Sequence, residues 1–240
     1  MIIFISDLHL SEDTPDRNQL FISYLKKWRG NIDALYILGD FFDYWLGNDD
    51  KTPFTEMMIN CLRDFTQYTP IYFIGGNHDF AIDDKFASDT NIKLLPDCSI
   101  INIDNNKILI SHGDVFCTLD VNYQQMKKIL QNKLVIYLLK KLPLSFRRKL
   151  KDKLKKEAHG SYSESRPDIY NVVDDTIYKY AKKANANFVV HGHTHRPGYY
   201  LVVSDKNVMP RIEIPDWTKK PYGGFVTYNN NEFNILHHYE

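Results

Sequence analysis

Short apolar runs alternate along the chain with longer segments whose apolar residues recur every three or four positions. Ile2-Ile3-Phe4-Ile5, Leu35-Tyr36-Ile37-Leu38, Ile71-Tyr72-Phe73-Ile74, Ile108-Leu109-Ile110 and Phe188-Val189-Val190 are each too short for a helix and predict strands. Their unbroken apolar character predicts burial on both faces. Between them, residues 18–28 and 54–68 carry helical periodicity, which together with the strands is the order of a layered α/β domain. The pattern changes after Asp114. Residues 123–158 contain no strand-like run and read as helices broken at Leu142-Pro143, where the ring removes a backbone donor. A further helix over 169–183 leads back to the run at Phe188. Beyond Pro197 the chain is strand-like again over 199–203, 211–214, 225–228 and 233–237, with a turn at Asn229-Asn230-Asn231. The expectation is a single domain over residues 1–240. Its fold class is α/β: a two-sheet α/β sandwich flanked by helices, with a helical cap insertion over about 118–170 standing above the strand ends.

Composition narrows the class. With 240 residues and 43% hydrophobic content, one domain can bury a substantial core. Thirty basic and thirty acidic residues cancel, so net charge supports no nucleic-acid partner, and no obligate protein partner is expected. Cys61, Cys98 and Cys117 are odd in number, irregularly spaced and lack a CxxC, which argues against both a disulfide framework and a thiolate metal site. The chain opens directly on a strand without a leader pattern, and it contains no apolar run of roughly 18 residues. A cytoplasmic protein, attached to a membrane only at its surface, is expected.

The candidate chemistry sits at the ends of the first five runs. They lead into Asp7-Leu8-His9, Gly39-Asp40, Gly75-Gly76-Asn77-His78-Asp79, His112-Gly113-Asp114 and His191-Gly192-His193-Thr194-His195. Any one cluster alone is equally compatible with a turn, a helix cap or a packed histidine. Five clusters at the ends of neighbouring strands of one sheet converge on a point. Asp7 and His9 are two residues apart, which on an extended backbone puts both side chains on one side, and His193 and His195 repeat the spacing. Carboxylate and imidazole ligands without thiolates suit Mn²⁺, Mg²⁺, Fe or Zn²⁺. Two such ions about 3.5–4 Å apart can clamp a displacement at phosphorus, and Asp40 is the candidate bridge between them.

In order and spacing, Asp7-x-His9, Gly39-Asp40-x-x-Asp43, Gly76-Asn77-His78-Asp79, His112-Gly113 and Gly192-His193-x-His195 resemble the motifs of the calcineurin-like metallophosphoesterases. The resemblance implies two divalent ions, Mn²⁺ foremost. Asp7, His9 and His195 would hold one ion, Asn77, His112 and His193 the other, with Asp40 bridging. It also implies attack on phosphorus by a metal-bridging hydroxide. His78 would stabilise the transition state or protonate the leaving group, with the carboxylate of Asp43 or Asp79 as its partner; His78, Asp43 and Asn77 make up the implied catalytic group. His191 precedes the last motif and is expected to pack beside the ligands.

Longer segments sharpen the likeness. His112-Gly113-Asp114 through Gln124, Leu142-Pro143-Leu144-Ser145-Phe146-Arg147-Arg148-Lys149, His191 through Pro197 and Asp43-Tyr44-Trp45-Leu46-Gly47 are similar to the UDP-2,3-diacylglucosamine pyrophosphatases of lipid A synthesis. This likeness implies a UDP-linked diacylated glucosamine lipid as substrate, with UMP and 2,3-diacylglucosamine 1-phosphate as products. It implies a peripheral position on the cytoplasmic face of the inner membrane and substrate contacts from Asn77, His78, Asp120, Tyr123, Arg166 and His193. Three departures stand out. His78 occupies a position where familiar members carry Arg, a forked phosphate contact that His does not reproduce. The headgroup loop is altered over residues 157–166, with Arg166 or Lys156 as candidate replacement cations. Pro215-Asp216-Trp217 stands where a small residue, Trp and His are usual.

Residues 130–156 interleave apolar positions such as Leu134, Leu138 and Phe146 with Lys133, Lys140, Lys141, Arg147, Arg148 and Lys149. A basic amphipathic pair of helices suits an anionic membrane surface, and apolar faces above a metal site suit acyl chains. The competing readings are a soluble phosphodiesterase or phosphatase acting on a nucleotide or phosphoprotein, and a metal-bound scaffold without turnover.

Overall fold

The computed structural model describes residues 1–159, 168–204 and 207–237. Eleven strands are found among them: β1 (Ile2–Ile5), β2 (Ala34–Leu38), β3 (Ile71–Ile74), β4 (Lys93–Leu94), β5 (Ser99–Ile103), β6 (Asn106–Ile110), β7 (Phe188–His191), β8 (Gly198–Ser204), β9 (Asn207–Glu213), β10 (Phe225–Asn229) and β11 (Glu232–Leu236). They form two sheets, one ordered β11-β10-β1-β2-β3-β4 and the other β5-β6-β7-β9-β8. The expected α/β sandwich is therefore present. The ligand-bearing ends, however, come from both sheets, with β1, β2 and β3 in the first and β6 and β7 in the second. Convergence across one sheet is corrected to convergence across the gap between two.

Alternation of side chains sorts the apolar runs between layers. Phe4, Tyr36, Leu38 and Ile74 face inward and meet Ile108, Ile110, Val190 and Ile212 of the second sheet. Ile3, Ile5, Leu35, Ile37 and Phe73 face outward and are covered by Phe21, Leu25, Met58, Leu62 and Phe65. These covering residues lie on α1 (Pro15–Trp28) and α2 (Pro53–Thr66). Each such side chain contributes about 1.5–3 kcal/mol when fully buried. The second sheet is covered by Ile177 and Ala181, which pack against Leu109, Val189 and Val202. Two further helices complete the frame, α3 (Asp84–Thr90) before β4 and, carrying Ile177 and Ala181, a helix at Asp174–Ala184 numbered α7 below.

Residues 121–159 form three helices, α4 (Val121–Leu130), α5 (Lys133–Lys141) and α6 (Leu144–His159), after which α7 follows. The break at Leu142-Pro143 is present. A second break precedes α5, where the Asn132 side chain accepts from Leu134 N and caps the new helix, so the expected pair of helices is a trio. α7 also starts later than the expected 169, because Val173 N donates to Phe116 O and holds the chain before Asp174. Among the described residues no helix is long and apolar enough to cross a membrane. All three cysteines are free, as expected.

Candidate metal centre

Beyond β1 and β2 the two chains continue side by side as loops. Asp7 N donates to Gly39 O (3.1 Å), His9 N to Asp40 O (2.9 Å) and Leu10 N to Phe41 O (2.9 Å). This pairing does not use extended backbone. Asp7, His9 and Asp40 have φ of 55°, 47° and 52°, and His193 and His195 have φ of 76° and 56°. The expected convergence of Asp7 with His9, and the parallel case of His193 and His195, thus arises from left-handed residues rather than from strand alternation. Left-handed backbone costs roughly 1–2 kcal/mol per ordinary residue. Five such residues in one cluster mark it as held in place by its surroundings.

Two features do the holding. Asp79, fully buried, accepts from Gly76 N (2.7 Å), Phe41 N (2.7 Å) and Asp40 N (3.2 Å), so one carboxylate ties the loop after β2 to the loop after β3. Burial and the nearby Asp40 carboxylate push the Asp79 carboxyl up to about 6, against the pull of these N–H donors. At Gly76 and Gly192 the backbones approach so closely that a Cβ would lie 2.2 Å from Asp40 Oδ1 and 2.2 Å from Asp7 Oδ2, respectively. Only glycine fits either place.

Within this frame the candidate ligands come together in two groups. In the first, Asp7, His9 and His195 present their donor atoms within 4.8 Å of one another, and Asp7, Asp40 and His112 do the same. Asp7 Oδ2 lies 2.6 Å from Ser6 Oγ and accepts from His193 N (2.9 Å), which leaves Oδ1 turned inward. In the second group, His112 Nε2 stands 3.0 Å from Asn77 Oδ1 and 3.1 Å from His193 Nδ1. Asp40 Oδ2 lies between the groups, 3.7 Å from His9 Nε2 and 3.7 Å from His112 Nε2.

The donor atoms are arranged for a cation rather than for each other. Asp7 Oδ1 and His9 Nε2 are buried with no hydrogen-bond partner among the described residues. The separation of 3.4 Å between His195 Nε2 and Asp7 Oδ1, like the 3.7 Å gaps around Asp40, suits two ligands on either side of an ion. His112 Nδ1 donates to Leu38 O (2.9 Å), so its neutral ring turns a bare Nε2 toward the Asn77 carbonyl, two acceptors face to face. A proton or a metal ion resolves that opposition. Burial alone would keep His112 uncharged, but the carboxylates of Asp40, Asp7 and Asp114 outweigh it and raise the group to about 9. Burial, with the charge of neighbouring histidines, holds His9 well below its ordinary value and His193 at about 3, which keeps both imidazoles neutral and able to ligate. Burial also acts on Asp7, but the neighbouring histidines prevail and hold its carboxyl far below the ordinary range. The chemistry of the donor set fits a pair of divalent ions.

The other anticipated residues divide. His78 borders the cluster, its Nε2 3.9 Å from Asp40 Oδ2. Its Nδ1 donates to the main-chain carbonyl of Asp43 (2.5 Å), so of the two expected partners Asp43 is the residue beside it, reached here through its backbone. The Asp79 carboxylate is occupied by backbone N–H groups. Asp43 caps no helix, since Thr52 caps α2, and its carboxylate stands within 4.8 Å of the donor atoms of His9 and His78. Asp120 accepts from Tyr123 N (2.9 Å) at the start of α4, and the Tyr123 hydroxyl donates to Asp114 Oδ2 (2.5 Å). Both face the cavity above the cluster. Arg166 lies outside the described residues, as does the Lys156 side chain. His191 is buried and packs beneath the last motif.

Several supporting roles were not anticipated. Ser6 positions ligand-bearing backbone, and so does Asp79, expected only as a candidate partner of His78. Lys127 donates to Asp114 Oδ1 (2.7 Å), anchoring α4 beside His112. Asp216 Oδ2 lies 3.7 Å from His195 Nδ1, and Trp217 N donates to Asp7 O (3.0 Å). A charged residue flanked by apolar neighbours, as in Ile214-Pro215-Asp216-Trp217, was the available signal.

A cavity of about 590 Å³ opens directly over the cluster. Asp40, Asn77, His78, His193 and His195 form its floor, and Trp45, Leu46, Phe80, Met126, Ile136, Leu139 and Leu150 form largely apolar walls. The walls belong to α4, α5, α6 and the loops after β2 and β3.

The family model described as calcineurin-like phosphoesterase matches residues 1–197. A protein of Coxiella burnetii (strain RSA 493 / Nine Mile phase I) named UDP-2,3-diacylglucosamine hydrolase is 38% identical over 224 residues, 93% of this chain and 91% of its own. Proteins of the same name from Pseudomonas entomophila (strain L48) and Stutzerimonas stutzeri (strain A1501) are 38% and 37% identical, over 92% and 95% of this chain and 92% and 96% of theirs.

Proposed function

The chain belongs to the calcineurin-like phosphoesterases, and from that premise we propose that it hydrolyses the pyrophosphate bond of UDP-2,3-diacylglucosamine, yielding UMP and 2,3-diacylglucosamine 1-phosphate in lipid A biosynthesis. The observation that carries the substrate is the cavity, whose polar floor is the candidate metal cluster and whose walls bring Met126, Leu130, Ile136, Leu139 and Leu150 from three helices, with cations among them. A diphosphate with a polar nucleoside on one side and acyl chains on the other matches that division.

Asp7, His9 and His195 would hold one ion and Asn77, His112 and His193 the other, with Asp40 placed to serve both; Mn²⁺ is the proposed metal. When bound, the pair supplies Lewis acidity to the phosphoryl oxygens and to the attacking water. The protein's own groups do the rest. Asp7 Oδ2 is tied to Ser6 and His193 N so that Oδ1 keeps one direction. His78 spends Nδ1–H on the Asp43 carbonyl, which aims Nε2 at the reacting phosphate. In its imidazolium form it donates from Nε2 to the departing oxygen, with the Asp43 carboxylate nearby supporting the positive charge. Asp120 and Tyr123 line the entrance and limit where the headgroup can sit. Arg166 is proposed as a further headgroup contact.

The helices α4, α5 and α6 of the expected 118–170 insertion act as a cap within a single domain, and the cap rests on an anionic membrane surface. Leu134, Tyr137, Leu138 and Phe146 are each more than half exposed, an expensive arrangement unless an apolar phase receives them. The position is peripheral, on the cytoplasmic face of the inner membrane.

Purified protein incubated with UDP-2,3-diacylglucosamine and Mn²⁺ in ¹⁸O water is expected to release UMP and to stop on chelation. Mass analysis of the products identifies the phosphorus attacked. Absence of UMP with any divalent ion overturns the substrate, and turnover of simple soluble diesters alone would support a soluble phosphodiesterase instead.

A further inference from the structure

Glu213 ends β9 in the second sheet and was not among the anticipated functional residues. It lies beside His191 in the parallel register of β7 and β9 and is 1% exposed. A buried carboxylate is costly unless each oxygen is satisfied. Here both are, and the donors are specific. Glu213 Oε1 accepts from Thr194 Oγ1 (2.5 Å) and Arg196 N (2.8 Å), the residues immediately before and after His195. Glu213 Oε2 accepts from Arg211 Nη1 (3.1 Å), itself buried and stacked with its guanidinium carbon 4.1 Å from the centre of the Tyr200 ring.

The same Arg211 nitrogen stands 2.9 Å from His191 Nε2. Arg can only donate, so His191 Nε2 accepts and its proton resides on Nδ1. That Nδ1 donates to Gly192 O (2.7 Å), the carbonyl just before His193. Gly192 O also accepts from Thr194 N (3.0 Å). Every turn of the segment 192–196 is therefore tied to one continuous network rooted on the adjacent strand. The segment needs such a tie, since His193 and His195 both occupy the left-handed region, with φ of 76° and 56°.

We infer that Glu213, working with Arg211 and His191, is a positioning residue that braces the 192–196 loop and thereby aims His193 and His195 at two different metal ions. The inference rests on the proposed ligand roles of those two histidines but not on the identity of the substrate. The brace touches neither substrate nor metal. It sets the direction of the two imidazoles through Thr194 Oγ1, Arg196 N and Gly192 O. An ordinary buried ion pair would stabilise the sheet without any preference for which loop atoms it grips. Here three of the contacts fall on residues adjacent to His193 or His195.

The test is metal binding, read separately from turnover. Glu213→Gln preserves volume but gives one amide oxygen and one amide NH₂: if the oxygen keeps Thr194 and Arg196, the NH₂ opposes the Arg211 donor. Wild type and variant, stripped with chelator, are titrated with Mn²⁺ while free ion is followed by electron paramagnetic resonance. Roughly ten- to a hundredfold weaker binding is expected at the affected site, the range typical of groups that orient metal ligands. At saturating Mn²⁺, kcat for the proposed lipid is expected to recover substantially while KM stays unchanged. Thr194→Val and Thr194→Ser provide an independent pair: Val removes the hydroxyl donated to Glu213, whereas Ser keeps it. Loss of affinity in Val with rescue in Ser supports the brace even if Glu213→Gln fails to fold. Wild-type affinity in a folded Glu213→Gln protein, or equal behaviour of the Val and Ser variants, overturns it. If wild type binds two Mn²⁺ and Glu213→Gln does not, while neither releases UMP, the brace stands and the proposed substrate falls.

Discussion

Asp40 and His78 are where single side chains have the largest predicted consequences. Asp40 Oδ2 is the one carboxylate oxygen within 4 Å of His9, His78 and His112 together among the described residues, so its removal takes a shared ligand from both proposed ions. Asp40→Ala is expected to lower kcat by at least about a thousandfold and to reduce bound Mn²⁺ below two per chain, measured by elemental analysis beside the turnover assay. His78→Ala separates chemistry from metal binding. Its ring leans on no ligand by a hydrogen bond, and it is fixed from behind by Asp43 O and flanked by Tyr44, whose ring centroid is 4.5 Å away. Removing it is expected to cost about 10²–10³ in kcat with the Mn²⁺ content unchanged, the loss associated with one transition-state donor. A parallel loss of metal would remove His78 from the acid role. The ligand types were legible because each motif sets acceptor side chains at short spacing just past an apolar run, four of the five with glycine beside them. The backbone contact of His78 was not, because a main-chain carbonyl has no signature in sequence. Nor was the left-handed backbone at Asp7 and His9, since spacing by two implies a shared side only when the chain stays extended.

At the scale of elements, two buried carboxylates tie loops together, and they answer differently to pH. Asp114 joins the loop after β6 to α4, accepting from Tyr123 and Lys127. Burial opposes its charge, but His112 and Lys127 prevail and lower it to about 2 from an ordinary 3.8. A bound divalent ion in place of the His112 proton acts in the same direction. A depressed folded value means the contribution, on the order of 2 kcal/mol, is present above pH 4 and is lost as pH falls through about 2. Asp114→Asn is therefore expected to be less stable than wild type at neutral pH, with the gap narrowing as pH drops toward 2; denaturant melts across that window check the sign. Asp79→Asn replaces a carboxylate that accepts from backbone N–H groups of two loops with an amide that must turn a donor toward some of them. It is expected to destabilise by about 2 kcal/mol or more and to weaken Mn²⁺ binding, seen in thermal melts with and without metal. The strands carrying these loops were readable from their unbroken apolar runs. β4 and β5 were not, because Lys93–Leu94 is two residues long and Ser99–Ile103 is only partly covered, leaving little burial to impose a pattern. The late start of α7 has a similar origin, in a tertiary hydrogen bond from Val173 to Phe116 O that no local signal records.

For the molecule as a whole, the decisive property is how the helices above the cavity divide their charge between the protein and the outside. Sequence alone assigns Lys140, Arg147 and Arg148 to a membrane-facing basic surface, but the fold pairs all three with carboxylates of the protein, burying Arg147 while Arg148 stays exposed. Lys140 pairs with Asp83, Arg148 with Asp50, and buried Arg147 grips Asp49 through two nitrogens while donating to Leu46 O and Leu142 O. All but the local bond to Leu142 O fasten α5 and α6 to the loops after β2 and β3, and those partners lie 57 to 101 residues away, beyond the reach of any local pattern. The exposed cations among the described residues of these helices include Lys128, Lys141, Arg148 and Lys149, beside Leu134, Tyr137, Leu138 and Phe146. Membrane attachment should then depend more on apolar insertion than on charge, since each surface cation contributes about 1 kcal/mol near an anionic leaflet and a buried Leu about 1.5–3 kcal/mol. Leu134 and Leu138 are one helical turn apart on α5 and lie outside the cavity lining. Leu134→Glu combined with Leu138→Glu is expected to lower partitioning onto phosphatidylglycerol vesicles at least tenfold in sedimentation. Turnover of a short-chain, water-soluble analogue of the lipid is expected to remain at the wild-type level. Raising salt to 1 M, where screening extends over only about 3 Å, is expected to weaken wild-type binding less than the double substitution does. Equal vesicle binding by wild type and variant would remove α5 from the membrane face, and a matching fall in turnover of the soluble analogue would place these leucines in the catalytic fold instead.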